Sequence, residues 1–214
     1  MRNRSAWILT GIVFLAASAP ANAQWRREKW EFTPFAGYET SGSFPINNSL
    51  AIDRLRANGN ASYGTFLDYS LAESAQFEFM WNRNQTTYSE RQVADGLFRK
   101  AFHSDIDQFQ FGLLYMLRGG DQRLRPYIAA GVGFTHDWNT GATPDRTQFS
   151  FGFGGGVKYM VDRHFGLRGD ARWLATYENS STALFCDSFG FCFPARVPHY
   201  LNRGNFVGGL VFRF

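Results

Sequence analysis

Lysine is nearly missing from this 214-residue chain, which carries only Lys29, Lys100 and Lys158. Charged residues of all kinds reach 19%, against about 25% in soluble globular domains. Methionine is sparse at 4, proline at 7, and cysteine occurs twice. Low proline beside 22 glycines excludes a collagen-like or disordered composition. No stretch beyond residue 23 reaches 18 consecutive apolar residues, which excludes a transmembrane helix in the body of the chain. Aromatic residues, by contrast, make up 18% of the chain and include 23 Phe. That is an odd core for a soluble domain, and it suggests a surface that does not face water.

Residues 1–23 read as a cleaved secretory signal. Arg2 and Arg4 precede an apolar run from Ala6 to Ala17, and Ala21-Asn22-Ala23 gives the small-x-small pattern of a cleavage site. The run is too short and too interrupted, by Thr10 and Gly11, for a membrane-anchoring helix. Without Arg2 and Arg4 the formal net charge falls from +4 to +2. The basic balance therefore carries no argument for nucleic acid.

The remaining domain, 24–214, alternates. Trp30, Phe32, Pro34, Ala36 and Tyr38 share one parity, while Glu31, Thr33, Gly37 and Glu39 share the other. The same period of two recurs over 62–69, 76–82, 108–115, 126–135, 148–159 and 165–177. It recurs a last time where Phe206, Gly208, Leu210, Phe212 and Phe214 alternate with Val207, Gly209, Val211 and Arg213. In all eight segments the apolar parity is free of charge through its middle, as lipid requires. The polar parity is rich in Gly, Ser and Gln rather than in Lys and Glu, unlike the wet face of a soluble sandwich. Long connections (41–60, 84–104, 137–146, 178–203) alternate with short turns near 70–74, 119–121 and 162–163. The pattern predicts an all-β fold, an eight-stranded antiparallel up-and-down transmembrane β-barrel, with both termini on the short-turn, periplasmic side.

Four local segments carry a family likeness: Arg125-Pro126-Tyr127-Ile128 with the Gly-rich strand that follows, 151–159, 166–172 and the Phe212-Arg213-Phe214 end. Through them the chain resembles the outer-membrane β-barrel domain family, the small porin-like barrels of OmpA and OmpW type. The resemblance implies integral residence in a Gram-negative-type outer membrane and contact with its lipid and lipopolysaccharide. It also implies that barrel assembly machinery reads the terminal signal of Gly208, Leu210, Phe212 and Phe214. It implies no single activity and no cofactor.

On the inward parity, Glu31, Glu39, Asp68 and Glu78 fall on early strands, and Arg125, Lys158, Arg168, Asp170 and Arg172 on later ones. An eight-stranded interior is just wide enough for side chains to fill. These charges therefore either meet as a polar plug or line a narrow conduit for ions or small solutes, with inward glycines leaving space. Cys186 and Cys192, in an exported chain, most simply pair as a disulfide. Two thiols with no nearby His do not make a metal site. Around them Leu184, Phe185, Phe189, Phe191 and Phe193 form an apolar cluster in a loop, either a lid over the barrel or a surface for a ligand or partner. His103-Ser104 is the only adjacent His/Ser pair, and neighbours on a strand point to opposite faces. A lipid-modifying enzyme is thus the least supported reading. His136, His164 and His199 read as solvated loop residues. The expected protein is non-enzymatic, structural or porin-like, with a surface-binding or adhesive barrel acting through its loops as the alternative.

Overall fold

The computed structural model describes residues 28–40, 42–45, 52–94, 96–117, 123–139, 145–177, 183–186, 192–195 and 200–214. The expected signal segment 1–23 lies outside the described residues. Twelve strands follow in order: β1 (Trp30–Glu39), β2 (Ser43–Pro45), β3 (Ile52–Ala57), β4 (Asn60–Ser70), β5 (Ala75–Gln92), β6 (Phe98–Met116), β7 (Leu124–Asn139), β8 (Arg146–Met160), β9 (Phe165–Tyr177), β10 (Ala183–Cys186), β11 (Cys192–Ala195) and β12 (Tyr200–Arg213).

Eight of them form a closed antiparallel wall in the order β1-β4-β5-β6-β7-β8-β9-β12, and β12 returns to β1. The seam pairs the first and last strands of the barrel from Glu31 opposite Arg213 to Glu39 opposite Asn205. Its end is tied by reciprocal backbone bonds between Trp30 and Phe214, at 3.0 and 2.9 Å. Closure leaves no open edge in the wall, the condition for strands to cross a bilayer. The chain ends share a rim with the short turns: the Ser70 amide donates to the Lys29 carbonyl, and Arg213 to His164, each at 2.8 Å. In the β8–β9 turn, Asp162 Oδ1 accepts the backbone N–H groups of His164 and Phe165, both at 2.7 Å. Those two donors hold its carboxyl below the usual carboxylate range.

The alternation read from the sequence matches the wall in every barrel strand. In β9, Arg168, Asp170 and Arg172 are buried while Leu167, Gly169 and Ala171 are exposed. Leu113, Ile128, Val132 and Phe153 are each more than half exposed, an arrangement stable only against lipid. About ten residues per strand at a tilt of 35–45° give an apolar band about 25 Å tall. Aromatic pairs mark its borders, Trp30 with Tyr69 at one rim and Tyr177 with Tyr200 at the other. On the long-loop side the band ends where the indoles of Trp81 and Trp138 donate to the two oxygens of Asp107, at 3.3 and 2.8 Å, beside Arg83.

The connections differ from the sequence reading. The segment 84–104 is not a loop: β5 and β6 run 18 and 19 residues and stay paired up to Arg91 opposite Phe98. Their upper halves therefore stand above the barrel, and β3 and then β2, both inside the expected 41–60 loop, add to the free side of β5. Lys100 thus lies in a strand, as Lys158 does. The expected 137–146 loop is shortened by β7 and β8, and β12 starts at Tyr200, inside the expected 178–203 loop. At two inward glycines the neighbours are close: a Cβ at Gly154 would meet the Ala171 carbonyl and the Arg172 side chain, and one at Gly156 the Gly169 carbonyl and the Tyr127 ring.

Val132 sits mid-wall between Phe111 and Phe151 with its side chain outward. Val132→Arg should cost about 2–4 kcal/mol of stability, read as a lower urea midpoint for the barrel refolded in lipid vesicles.

Candidate functional site

The short-turn half of the lumen holds one continuous ion network. Lys158, near that end of β8, is fully buried. Its ammonium donates to Glu31 Oε2 at 2.6 Å, Asp68 Oδ2 at 2.6 Å and Gln76 Oε1 at 2.8 Å. These three acceptors use all three of its protons. From β9, Arg168 donates to Asp68 at 3.1 Å, to Glu78 at 2.5 Å and to Asp170 at 2.9 Å. Arg172 grips Glu78 Oε1 at 2.6 Å and both Asp170 oxygens at 2.8 and 3.0 Å. The Tyr127 hydroxyl links them, donating to Asp170 at 2.5 Å and accepting from Arg168 Nε at 2.8 Å. Arg213 completes the set on Glu31. Four cations thus face four carboxylates, and the cluster is neutral. The guanidinium of Arg168 also lies 3.7 Å from the centre of the Phe66 ring, whose negative face favours a desolvated cation.

Above the network Phe35, Phe66, Met80, Leu174 and Val207 form an apolar layer across the lumen. Beyond it Glu39 accepts from Asn82, Gln108, Arg203 and Asn205, at 2.9 to 3.4 Å. This longer, amide-rich cluster is looser than the one below. Toward the same end, Ser62 Oγ, Gln148 Oε1, Ser150 Oγ and Arg203 Nη2 are buried with no hydrogen-bond partner among the described residues, as are Thr33 Oγ1 and Asp68 Oδ1 nearer the short turns.

The structure therefore brings the two predicted sets together: Glu31, Asp68 and Glu78 from β1, β4 and β5 meet Lys158, Arg168, Asp170 and Arg172 from β8 and β9. Glu39 stands apart in its own cluster. Arg125, directly opposite Lys158 in the β7–β8 register, is half-buried at the short-turn mouth, lining a cavity of about 660 Å³ with Lys29, Arg163 and Arg213. Arg203, Arg213, Gln76 and Tyr127 take part although the sequence did not single them out. Gln76, Tyr127 and Arg213 already lay on the inward parity, the one signal that could have found them.

Ser104 is buried, and His103 is exposed and bonded to Thr87 at 3.0 Å, so the pair does face opposite sides. His136 is not a solvated loop residue: it lies in β7, edge-on to Trp138 at 4.2 Å and bonded to Thr147 at 2.7 Å. His164 is in a turn, 3.0 Å from Glu28, and His199 lies outside the described residues. Leu184 and Phe185 belong to β10 and Phe193 to β11, while Phe189 and Phe191 lie outside the described residues. The backbone register of that hairpin sets Cys186 directly opposite Cys192. Among the described residues no group of three or more His, Cys, Asp and Glu is arranged to hold a metal.

Comparison with solved structures finds the same architecture. Pseudomonas aeruginosa OprG superposes with a TM-score of 0.63 at 13% identity, over 88% of this chain and 97% of that one. Neisserial surface protein A gives 0.58 at 14% identity, over 86% and 97%. AlkL in lipid bilayers gives 0.55 at 15% identity, over 92% and 95%. At such identities the likeness establishes the fold alone. No curated protein matches the chain in sequence. The family model for the outer membrane protein β-barrel domain, however, matches residues 9–214, and with the closed, lipid-faced wall described above it makes this chain a member of that family, a small integral outer-membrane β-barrel.

Proposed function

We propose that this protein is a non-enzymatic barrel whose lumen is plugged and whose contacts with the outside are made at its long-loop face. The observation that carries this reading is the Lys158 ammonium, fully buried with each proton on a separate acceptor. An ion or solute crossing the lumen would have to break those bonds. Every partner left behind would then be a desolvated charge, a state costing several kcal/mol. In this reading the signal segment 1–23 is removed, both termini lie in the periplasm, and β10–β11 with the extended β2-β3-β5-β6 sheet faces outward. The terminal Gly208, Leu210, Phe212 and Phe214 serve recognition by assembly machinery. The longer, amide-rich hydrogen bonds of the long-loop half of the lumen favour the second reading, a narrow conduit.

Planar-bilayer recording separates the two. The refolded, heat-modifiable barrel should be electrically silent, whereas discrete ion-selective steps from the wild-type protein would overturn the plug. Lys158→Met should leave Glu31 to Arg213 alone and Asp68 to Arg168 alone, with one uncompensated negative charge in the network, and lower stability by about 3–5 kcal/mol in urea titration. Adding Asp68→Asn should recover part of that loss.

The hairpin register also favours a Cys186–Cys192 disulfide, because directly paired antiparallel residues lie about 4.5–5.5 Å apart at Cα, within the reach of the bond. Its ring contributes on the order of 2 kcal/mol by loop entropy. Thiol titration of the exported, native protein should find no free thiol, and two titratable thiols would dismiss the bridge.

A further inference from the structure

The cavity of about 660 Å³ at the short-turn mouth has a divided wall. Lys29 leads into β1, Arg125 lies at the start of β7, Arg163 stands in the β8–β9 turn and Arg213 ends β12, so one continuous arc of the rim carries the cations. The remaining arc, made by the β4–β5 turn and the end of β6, sets Leu71 and Met116 into the same cavity. Its floor is Gln76, which is buried and bonded in both directions. The Gln76 Nε2 group donates to Ser70 at the rim, at 3.2 Å, and its Oε1 accepts from Lys158 below, at 2.8 Å. Beside it Met116 packs with Leu114, Tyr127 and Ala129 in a buried apolar layer. The cavity is thus a cup with the ion network beneath it.

The charges of this cup are unequally committed. Arg213 is spent on Glu31 and belongs to the neutral network. Arg125 and Glu73 both have partners, and Glu28 lies 3.0 Å from His164. Asp162, next to Arg163 in sequence, is turned onto the backbone N–H groups of His164 and Phe165. Lys29 and Arg163, both exposed at the rim, hold no ion pair among the described residues. The Lys29 ammonium stands 5.9 Å from the centre of the Tyr69 ring. The two flank Arg213: its N–H donates to the His164 carbonyl, next to Arg163, and Phe214 is bonded to Trp30, next to Lys29. Low-dielectric walls around a cleft focus the field of cations that line it, and a volume of this size suits a small molecule. An oxyanion entering it takes charge-assisted hydrogen bonds from Lys29 and Arg163, and an apolar group attached to that anion lies against Leu71 and Met116.

We propose that the short-turn mouth is a binding cup for a small organic oxyanion, a phosphate or carboxylate carried on a short apolar body. Lys29 and Arg163 take the charge, and Leu71 and Met116 take the body. Both halves of the recognition are needed, because exposed cations alone hold an anion weakly in water and two apolar side chains alone do not select for charge.

The test is calorimetric titration of the full refolded chain in a zwitterionic detergent, with phenyl phosphate and benzoate as probes and with benzyl alcohol and inorganic phosphate as controls. Wild-type protein should bind at least one of the two aromatic anions, and the tighter of them names the oxyanion. The K29S/R163S variant should bind it at least about tenfold more weakly, whereas K29R/R163K should keep most of the affinity. Leu71→Ser should weaken the aromatic anion and leave inorganic phosphate as in the wild type. Since neither Lys29 nor Arg163 holds an ion pair among the described residues, every variant should keep the heat-modifiable band of a folded barrel. Equal binding by the wild type and K29S/R163S, or no binding of either anion, would overturn the proposal. Benzyl alcohol bound as tightly as the anions would overturn its charged half, and inorganic phosphate bound as tightly as phenyl phosphate its apolar half. The titration reads the mouth in detergent, so its outcome depends neither on whether the lumen conducts nor on which side of the membrane the short turns face.

Discussion

Hydrocarbon offers no hydrogen-bond partner, so each backbone N–H and C=O that enters it must be satisfied within the wall. The structure follows from how that demand is met. Closing eight strands through the β1–β12 seam satisfies the backbone, and it also fixes a bore that side chains fill. A bore of that width lined with carboxylates on β1, β4 and β5 is tolerable only if cations reach across it. Lys158, Arg168 and Arg172 do so from β8 and β9. The ion network is therefore a consequence of closure, and its neutrality keeps the desolvation penalty of so many buried charges from going uncompensated.

The two halves of the lumen solve the same problem differently. Near the short turns the partners are charged and close, and Tyr127 bridges between them. Beyond the Phe35, Phe66 and Met80 layer, Glu39 is held largely by amides at longer distances. The first half is held by paired charges, and the second by longer hydrogen bonds in which amides predominate. This gradient runs toward the rim from which β5 and β6 project.

The wall was legible in the sequence because lipid enforces a strict period of two, and no charged residue interrupts the outward parity of 30–38 or 206–214. The upper halves of β5 and β6 were not, because there the buried face, with Asn84 and Thr86, is as polar as the outer one. Gln85, Thr87 and Ser89 then alternate with Asn84, Thr86 and Tyr88 without a hydrophobic signal, and the shift near Ala101 breaks the phase. The inward charges could be picked out by parity, but their pairing could not. Lys158 reaches Glu31 and Asp68 across 127 and 90 residues of sequence, a match set by strand stagger. Arg203 escaped notice because a wall strand begins inside what composition presents as a loop.

The seam has a kinetic meaning as well. Its partners, such as Glu31 and Arg213, are 182 residues apart, so the barrel cannot be closed by any local hairpin. Until β12 docks, both β1 and β12 present bare edges that would pair with any available strand. A topology with so many long-range pairings folds slowly and exposes its intermediates to aggregation. The wall therefore closes only when β1 and β12 meet, and until then both edges stay open to the wrong strand.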